Sequence, residues 1–308
     1  MFKGVREKQT VIYNRKNLDS VKRTLFGWVL FIPTFLLLYF IILRPMATGF
    51  FYSFFKMNGY EAGEFVGFGN YISILSNSTF LKTLLNTIKY VLWSLIIGFP
   101  LPIITAILLN ELVHCKNVFK TFLYMPTVVP AVAVYMIWKQ LYQPGDAGVL
   151  NMLLTQIGLP ASEWMQNPSI TILLLIIAST WQTFGSTTIM YLAALQGINQ
   201  DMYEAATIDG AGLWHKFRYI LLPEIYGFAL LFGVKQIIGV FQIIELPMAM
   251  TGGGPDNASM SLGLMMYNYG FTNFKFDKAF AMGVVIFCIL IVMTFVYFIL
   301  DKKLSEGE

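Results

Sequence analysis

Six stretches of this 308-residue chain stay apolar for close to twenty residues or more, and nothing else in the sequence narrows the fold as much. They cover residues 25–43, 90–109, 122–141, 170–195, 225–248 and 279–300. A helix rises about 1.5 Å per residue and the bilayer's hydrocarbon core is about 30 Å thick, so each stretch can cross it. The expected fold is therefore all-α and integral to the membrane, with six transmembrane helices. Composition agrees, because 56% of the residues are hydrophobic and only 12% charged, against roughly a quarter charged in soluble domains.

An even number of spans places both termini on one side, and the bias of Lys and Arg among the loops says which. Residues 1–24 carry Lys3, Arg6, Lys8, Arg15, Lys16, Lys22 and Arg23, and Lys116, Lys120, Lys216, Arg218, Lys302 and Lys303 fall on the same side. That is 13 of the chain's 21 basic residues, whereas the loop 142–169 has none. This side is the expected cytoplasmic one, so the chain divides into a basic cytoplasmic N-terminus (1–24), a first span with an outer segment (25–83), a five-helix core (84–301) and a cytoplasmic tail (302–308). The N-terminal charge reads as a topology determinant; the first apolar stretch is long enough to span and lacks a small-residue cleavage pattern. No nucleic-acid partner is implied, and a net charge of +4 points to no acidic one.

Proline punctuates the spans. Arg44-Pro45 predicts an extended break after the first, Pro100 and Pro102 a kink in the second, and Pro126 and Pro130 a kink or local break in the third. The aromatics of 50–55 and 65–71 suit the membrane interface, and a short helix is expected near residues 149–156 in the loop 142–169. Tyr267, Tyr269, Phe271, Phe274 and Phe276 crowd the last outer loop. There they either anchor helix ends or meet a sugar or protein. Cys115 in a loop and Cys288 in a span cannot plausibly pair. His114 and His215 have no carboxylate or thiol at ligand spacing, so no metal site is expected.

Polar residues inside spans are costly and normally face protein or a water-filled cavity. In the fourth span Ser179, Gln182, Thr183 and Ser186 recur at intervals of three and four, which puts them on one helical face. In the fifth, Lys235, Gln242 and Glu245 follow at seven and three. Either these faces line a translocation pathway or they hydrogen-bond neighbouring helices. Lys235 and Glu245 stand about 15 Å apart along a helix and are not expected to pair.

Between these two spans lies residues 204–223, EAATIDGAGLWHKFRYILLP. Ala205 and Ala206 favour a helix that lies close to another surface, and Gly210 and Gly212 interrupt it, so helix, corner, helix is expected. Pro223 fits the first turn of the next membrane helix.

Glu204-Ala205-Ala206, Gly210, Ile220, Leu222 and Pro223 stand at the spacing E-A-A-x3-G-x9-I-x-L-P, and in this the chain resembles permease subunits of ATP-binding-cassette type I importers. The segments 191–197 (YLAALQG) and 251–255 (TGGGP) make it similar to the carbohydrate branch, the maltose-permease type. The likeness extends from about Leu84 to Leu300. It implies that Glu204, Ala205, Ala206, Asp209, Gly210, Ile220, Leu222 and Pro223 form a coupling element seated on a cytoplasmic ATPase dimer. It also implies a second permease, commonly a homologue, and an extracytoplasmic binding protein that delivers the sugar. ATP and Mg would then be bound by the ATPase, and none by this chain. The sequence itself contains no G-x-x-x-x-G-K-[ST] loop.

Three alternatives stay open at this level. The same machine could carry glycerol phosphate or another polar solute. A secondary transporter would need inverted repeats, and none is evident. A membrane enzyme would need a carboxylate cluster, a His pair or a nucleophile with its base, and the spans hold none.

Overall fold

The computed structural model describes residues 24–305 apart from 113, 146, 147 and 199, so the basic residues 3–23 and the end of the tail lie outside the described residues. Among the described residues five helices are long and apolar enough to span a membrane. These are α1 (Thr24–Tyr52), α3 (Ser78–Glu111), α7 (Thr171–Leu195), α9 (Trp214–Phe241) and α12 (Phe276–Ser305). A sixth span is made of α4 (Lys116–Val128) and α5 (Ala131–Leu141), which meet at 93°. Shorter helices are α2 (Gly69–Leu75), α6 (Val149–Gln156), α8 (Gln200–Ile208), α10 (Glu245–Met250) and α11 (Leu262–Tyr267).

The break between α4 and α5 follows from Pro130. Its ring pushes Val129 to an extended conformation, φ −75° and ψ 136°, and the helix cannot pass through that residue. Elsewhere proline is accommodated without a break. Pro45, Pro100 and Pro223 each stand two residues after a π-turn, at Tyr39–Leu43, Ser94–Gly98 and Phe217–Leu221. The carbonyl that each ring would strike, four residues back, belongs to Ile41, Ile96 or Tyr219, the middle residue of the wider turn. This corrects the expectation of an extended break at Arg44-Pro45, because α1 runs on helically to Tyr52. It also makes Pro223 an interior residue of α9, at the start of its α-helical portion.

A second correction concerns the fifth span. α9 ends at Phe241, Gln242 caps it, and α10 begins afresh at Glu245. Lys235, Gln242 and Glu245 therefore do not share a helical face. The break is held from outside the segment. Ser261 donates its hydroxyl to the Ile243 carbonyl at 2.6 Å, and a Cβ on Gly263 would come within 2.8 Å of that same oxygen.

One hydrophobic cluster joins α3, α5, α7, α10, α11 and α12 through Tyr90, Tyr135, Leu175, Leu246, Leu262 and Met282. A second, around Ile103, Ala106, Tyr191, Leu195, Leu221 and Ile225, closes the end of the bundle near α8. The opposite end carries a feature that the all-α expectation omitted. Strands β1 (Phe55–Asn58) and β2 (Glu61–Phe65) pair antiparallel around Gly59, whose φ of +63° supplies the tight turn. The apolar window of α1 has no buried residue. Within the chain α1 packs against α12 near Gly49 and Phe280.

Candidate functional site

The stretch 204–223 folds as helix, corner, helix. α8 carries Glu204, Ala205 and Ala206, and Asp209 donates its backbone N–H to the Ala205 carbonyl at 2.9 Å. Gly210 then takes φ +76°, and the Ala211 N–H reaches back to Ala206 O at 2.9 Å. That is the six-to-one bond of a Schellman cap, which needs a left-handed residue at the position Gly210 holds. Glu204, Ala205, Asp209, Gly210 and Pro223 are exposed, while Ala206, Ile220 and Leu222 are half-buried. Two residues that the motif leaves out matter as much: Ile208 is 86% and Trp214 69% exposed. The signal for them is an apolar side chain on each flank of a polar turn. The corner thus presents an apolar surface, with carboxylates beside it, to whatever covers it.

The polar residues expected in the spans do not converge on one surface. Ser179, Thr183 and Ser186 bond back to carbonyls of their own helix, at Ile176, Ser179 and Thr183. Thr183 is exposed and the other two are half-buried, so their face is only partly covered. Gln182 is buried and joins α7 to the proline break, with Nε2 3.4 Å from the Val129 carbonyl and its own carbonyl accepting from Thr127 Oγ1 at 2.9 Å. One turn on, Gly185 brings α7 against α4, since a Cβ there would lie 1.8 Å from the Leu123 carbonyl oxygen. Lys235 and Glu245 are exposed, and Gln242 lines an apolar cavity of about 700 Å³ between α1, α11 and α12.

Sequence reading passed over Gln236 and Thr180. Gln236 Nε2 donates to the Ser94 carbonyl at 2.7 Å, inside the π-turn of α3. Gly98 makes room for this junction, since a Cβ there would lie 2.8 Å from Gln236 Nε2 and 3.2 Å from Thr180 Oγ1. An amide within an apolar span, the signal that singled out Gln182, applied equally to Gln236.

At the hairpin end, one face of α3 holds the loop that follows α10. Lys82 Nζ donates to Asp256 Oδ2 at 2.7 Å and also to the Asp256 carbonyl. Asn86 donates to Asn257 O at 2.7 Å, Tyr90 to Ser259 O at 2.9 Å, and Thr87 Oγ1 accepts from Leu262 N. The hydrogen bond and then the charge of Lys82 lower the Asp256 carboxyl below its ordinary range. Across from this loop, the buried Asn151 of α6 ties residues 145–164 together. It donates to the carbonyls of Gly145 and Ser162 and accepts from Ser162 N and Trp164 Nε1.

No group of His, Cys, Asp and Glu suited to a metal ion occurs among the described residues. Cys115 and Cys288 are both free thiols.

Residues 98–306 match the model of the family described as binding-protein-dependent transport system inner membrane component. The chain is 30% identical over 283 residues to the arabinooligosaccharides transport system permease protein AraP of Bacillus subtilis (strain 168), covering 90% of this chain and 88% of that one. It is 28% identical to the trehalose/maltose transport system permease protein MalF of Thermococcus litoralis, over 88% and 92% of the two chains. In fold it resembles a chain from the crystal structure of a bacterial alginate ABC transporter in complex with an alginate pentasaccharide-bound periplasmic protein. There the TM-score is 0.82 at 24% identity, with 93% and 97% of the chains covered. This chain belongs to the inner-membrane components of binding-protein-dependent transport systems.

Proposed function

We propose that the chain is a translocation-pathway subunit of an ATP-driven importer for a sugar or oligosaccharide brought by a solute-binding protein. The relatives named above carry arabino-oligosaccharides and trehalose or maltose, and the structural neighbour was captured with a saccharide-bound periplasmic protein. One observation carries the mechanism: a capped corner at Gly210 that leaves Ile208 and Trp214 exposed beside Glu204 and Asp209. Exposed apolar side chains of this size suit a socket on another protein. The partner is a cytoplasmic ATPase dimer that binds ATP and Mg, while this chain binds no cofactor. A second permease, a homologue of this one, completes the pathway.

In this reading both termini and the corner face the cytoplasm and the hairpin end faces outward, following the basic bias of the loops. Closure of the ATPases pulls on α8, the corner transmits the motion to α9 through Ile220, Leu222 and Pro223, and the bundle alternates between two states. The partly exposed hydroxyl face of Ser179, Thr183 and Ser186 provides polar lining from the fourth span, with Lys235 from the fifth, Gln242 at its cap and Glu245 at the start of α10, while Gln182 and Gln236 tie together the helices that carry it. On an open surface a Glu204 ion pair would contribute about 0–1 kcal/mol, but in a desolvated socket its loss costs roughly 2–5 kcal/mol.

Glu204→Lys and Gly210→Val are predicted to abolish solute-stimulated ATP hydrolysis and uptake together, while the binding protein still captures its ligand. Valine is a genuine outlier at φ +76°. Wild-type stimulation by both variants in reconstituted vesicles would refute the coupling role.

A further inference from the structure

A cavity of about 590 Å³ opens at the hairpin end, among the last turn of α5, the loop after it, the turn at Trp164–Gln166 and the loop 251–255. We propose that this cavity is a vestibule that receives the solute before the pathway opens, and that it selects for a saccharide bearing a carboxylate, a uronate. The proposal rests on the transport reading above and narrows its substrate class.

The lining carries the argument. Lys139, Gln140, Gln143 and Gln166 all border the cavity, and Met136 and Met165 supply apolar surface beside them. None of the four polar side chains takes part in a hydrogen bond or ion pair among the described residues. Three unengaged carboxamides offer paired donors and acceptors, the groups that vicinal hydroxyls of a pyranose require. Thioether side chains adapt to an irregular ring face. Lys139 is the one charged side chain among the described residues that border the cavity. A carboxylate is its natural counter-charge.

The walls are built to hold this arrangement. The loop 251–255 is anchored through Thr251, whose hydroxyl bonds Pro247 O and Ser259 Oγ, and through the Lys82 to Asp256 pair just beyond it. The opposite wall is fixed by the four hydrogen bonds of Asn151. The unpartnered amides thus stand on a rigid frame, in contrast to Ser179, Thr183 and Ser186, whose hydroxyls are engaged by their own helix.

The test uses the complete transporter in vesicles without binding protein, with binding of trigalacturonate and of a neutral trisaccharide of the same linkage followed by saturation-transfer NMR. The wild type is expected to bind the acidic trisaccharide at least about tenfold more tightly, a preference that shrinks as salt screens the charge. Lys139→Gln should bring the ratio near one, and Gln166→Leu should weaken both ligands alike. A wild-type ratio near one, or a ratio unchanged in Lys139→Gln, overturns the vestibule. Uptake with the binding protein restored separates the two readings. Saccharide uptake that persists without charge selection removes the vestibule alone, whereas failure to take up any saccharide removes the transport reading and the vestibule with it.

Discussion

Gly185→Ala isolates the contact that seats the broken span on α7. The Cβ direction at Gly185 points at the Leu123 carbonyl from 1.8 Å, with Leu123 C at 2.5 Å and Tyr124 N at 3.2 Å. A hydrogen on the glycine Cα fills that direction, and the geometry is that of a Cα–H···O contact between helices. All three obstacles are backbone, so no side chain can swing aside. To restore even 3.0 Å, α4 must retreat by about 1.2 Å (3.0 − 1.8). That retreat loosens the bonds of Thr127 Oγ1 to Gln182 O and of Gln182 Nε2 to Val129 O. Overpacking costs about 1–3 kcal/mol, and two interhelical hydrogen bonds add about 0.6 kcal/mol each. The sum is about 2–4 kcal/mol. Gly239→Ala is the matched control, because nothing lies within 4 Å of its Cβ position in α9 and the change there only improves helix propensity. Thermal unfolding of the purified transporter should show Gly185→Ala melting several degrees below the control. Equal melting temperatures would refute the close approach.

Three further outcomes are expected. Tyr60→Cys, at the 80% exposed hairpin tip, should react with an impermeant maleimide from outside intact cells, and Ile208→Cys should not; the reverse pattern would invert the topology. Gln236→Leu removes the bond to Ser94 O and should cost about 0.6–1.7 kcal/mol of stability and reduce uptake while the protein still inserts and elutes as a folded species in detergent. Asn151→Leu strands four polar groups, at about 1–3 kcal/mol for each one left buried and unsatisfied, and should make the loop 145–164 sensitive to protease where the wild type resists.

Local rules served well wherever the cause is local. Pro130 broke the third span where its own ring required, and Gly210 turned the corner between two helices. The short helix at Val149–Gln156 appeared where it was expected. Local rules were applied unevenly in the fifth span, where Pro247 denies a hydrogen bond to the Ile243 carbonyl four residues back and so favours the break after Phe241. That Ser261 and Gly263, far along the chain, close on that same carbonyl left no trace in residues 242–250. Arg44-Pro45 misled for a different reason, because a π-turn leaves no compositional trace and yet relieves the proline. Within the site, the helix, corner and helix around Gly210 were legible from the residues, but the exposure of Ile208 and Trp214 emerged only with the fold. The carboxamides around Lys139 come from two segments more than twenty residues apart and were invisible as a group.

Each π-turn also has a rotational effect. A five-residue bond loop inserts one residue into an α-helical path, and one residue corresponds to about 100° of azimuth. The turn at Phe217–Leu221 therefore sets the angle at which everything before it is displayed around the axis of α9. Shortening it by one residue would leave two sound helical halves and swing Trp214 and the Gly210 corner by about a quarter of a revolution. The three proline-relieving turns thus act as phase-setters, and Pro223 keeps this one in place between the Gly210 corner and the rest of α9.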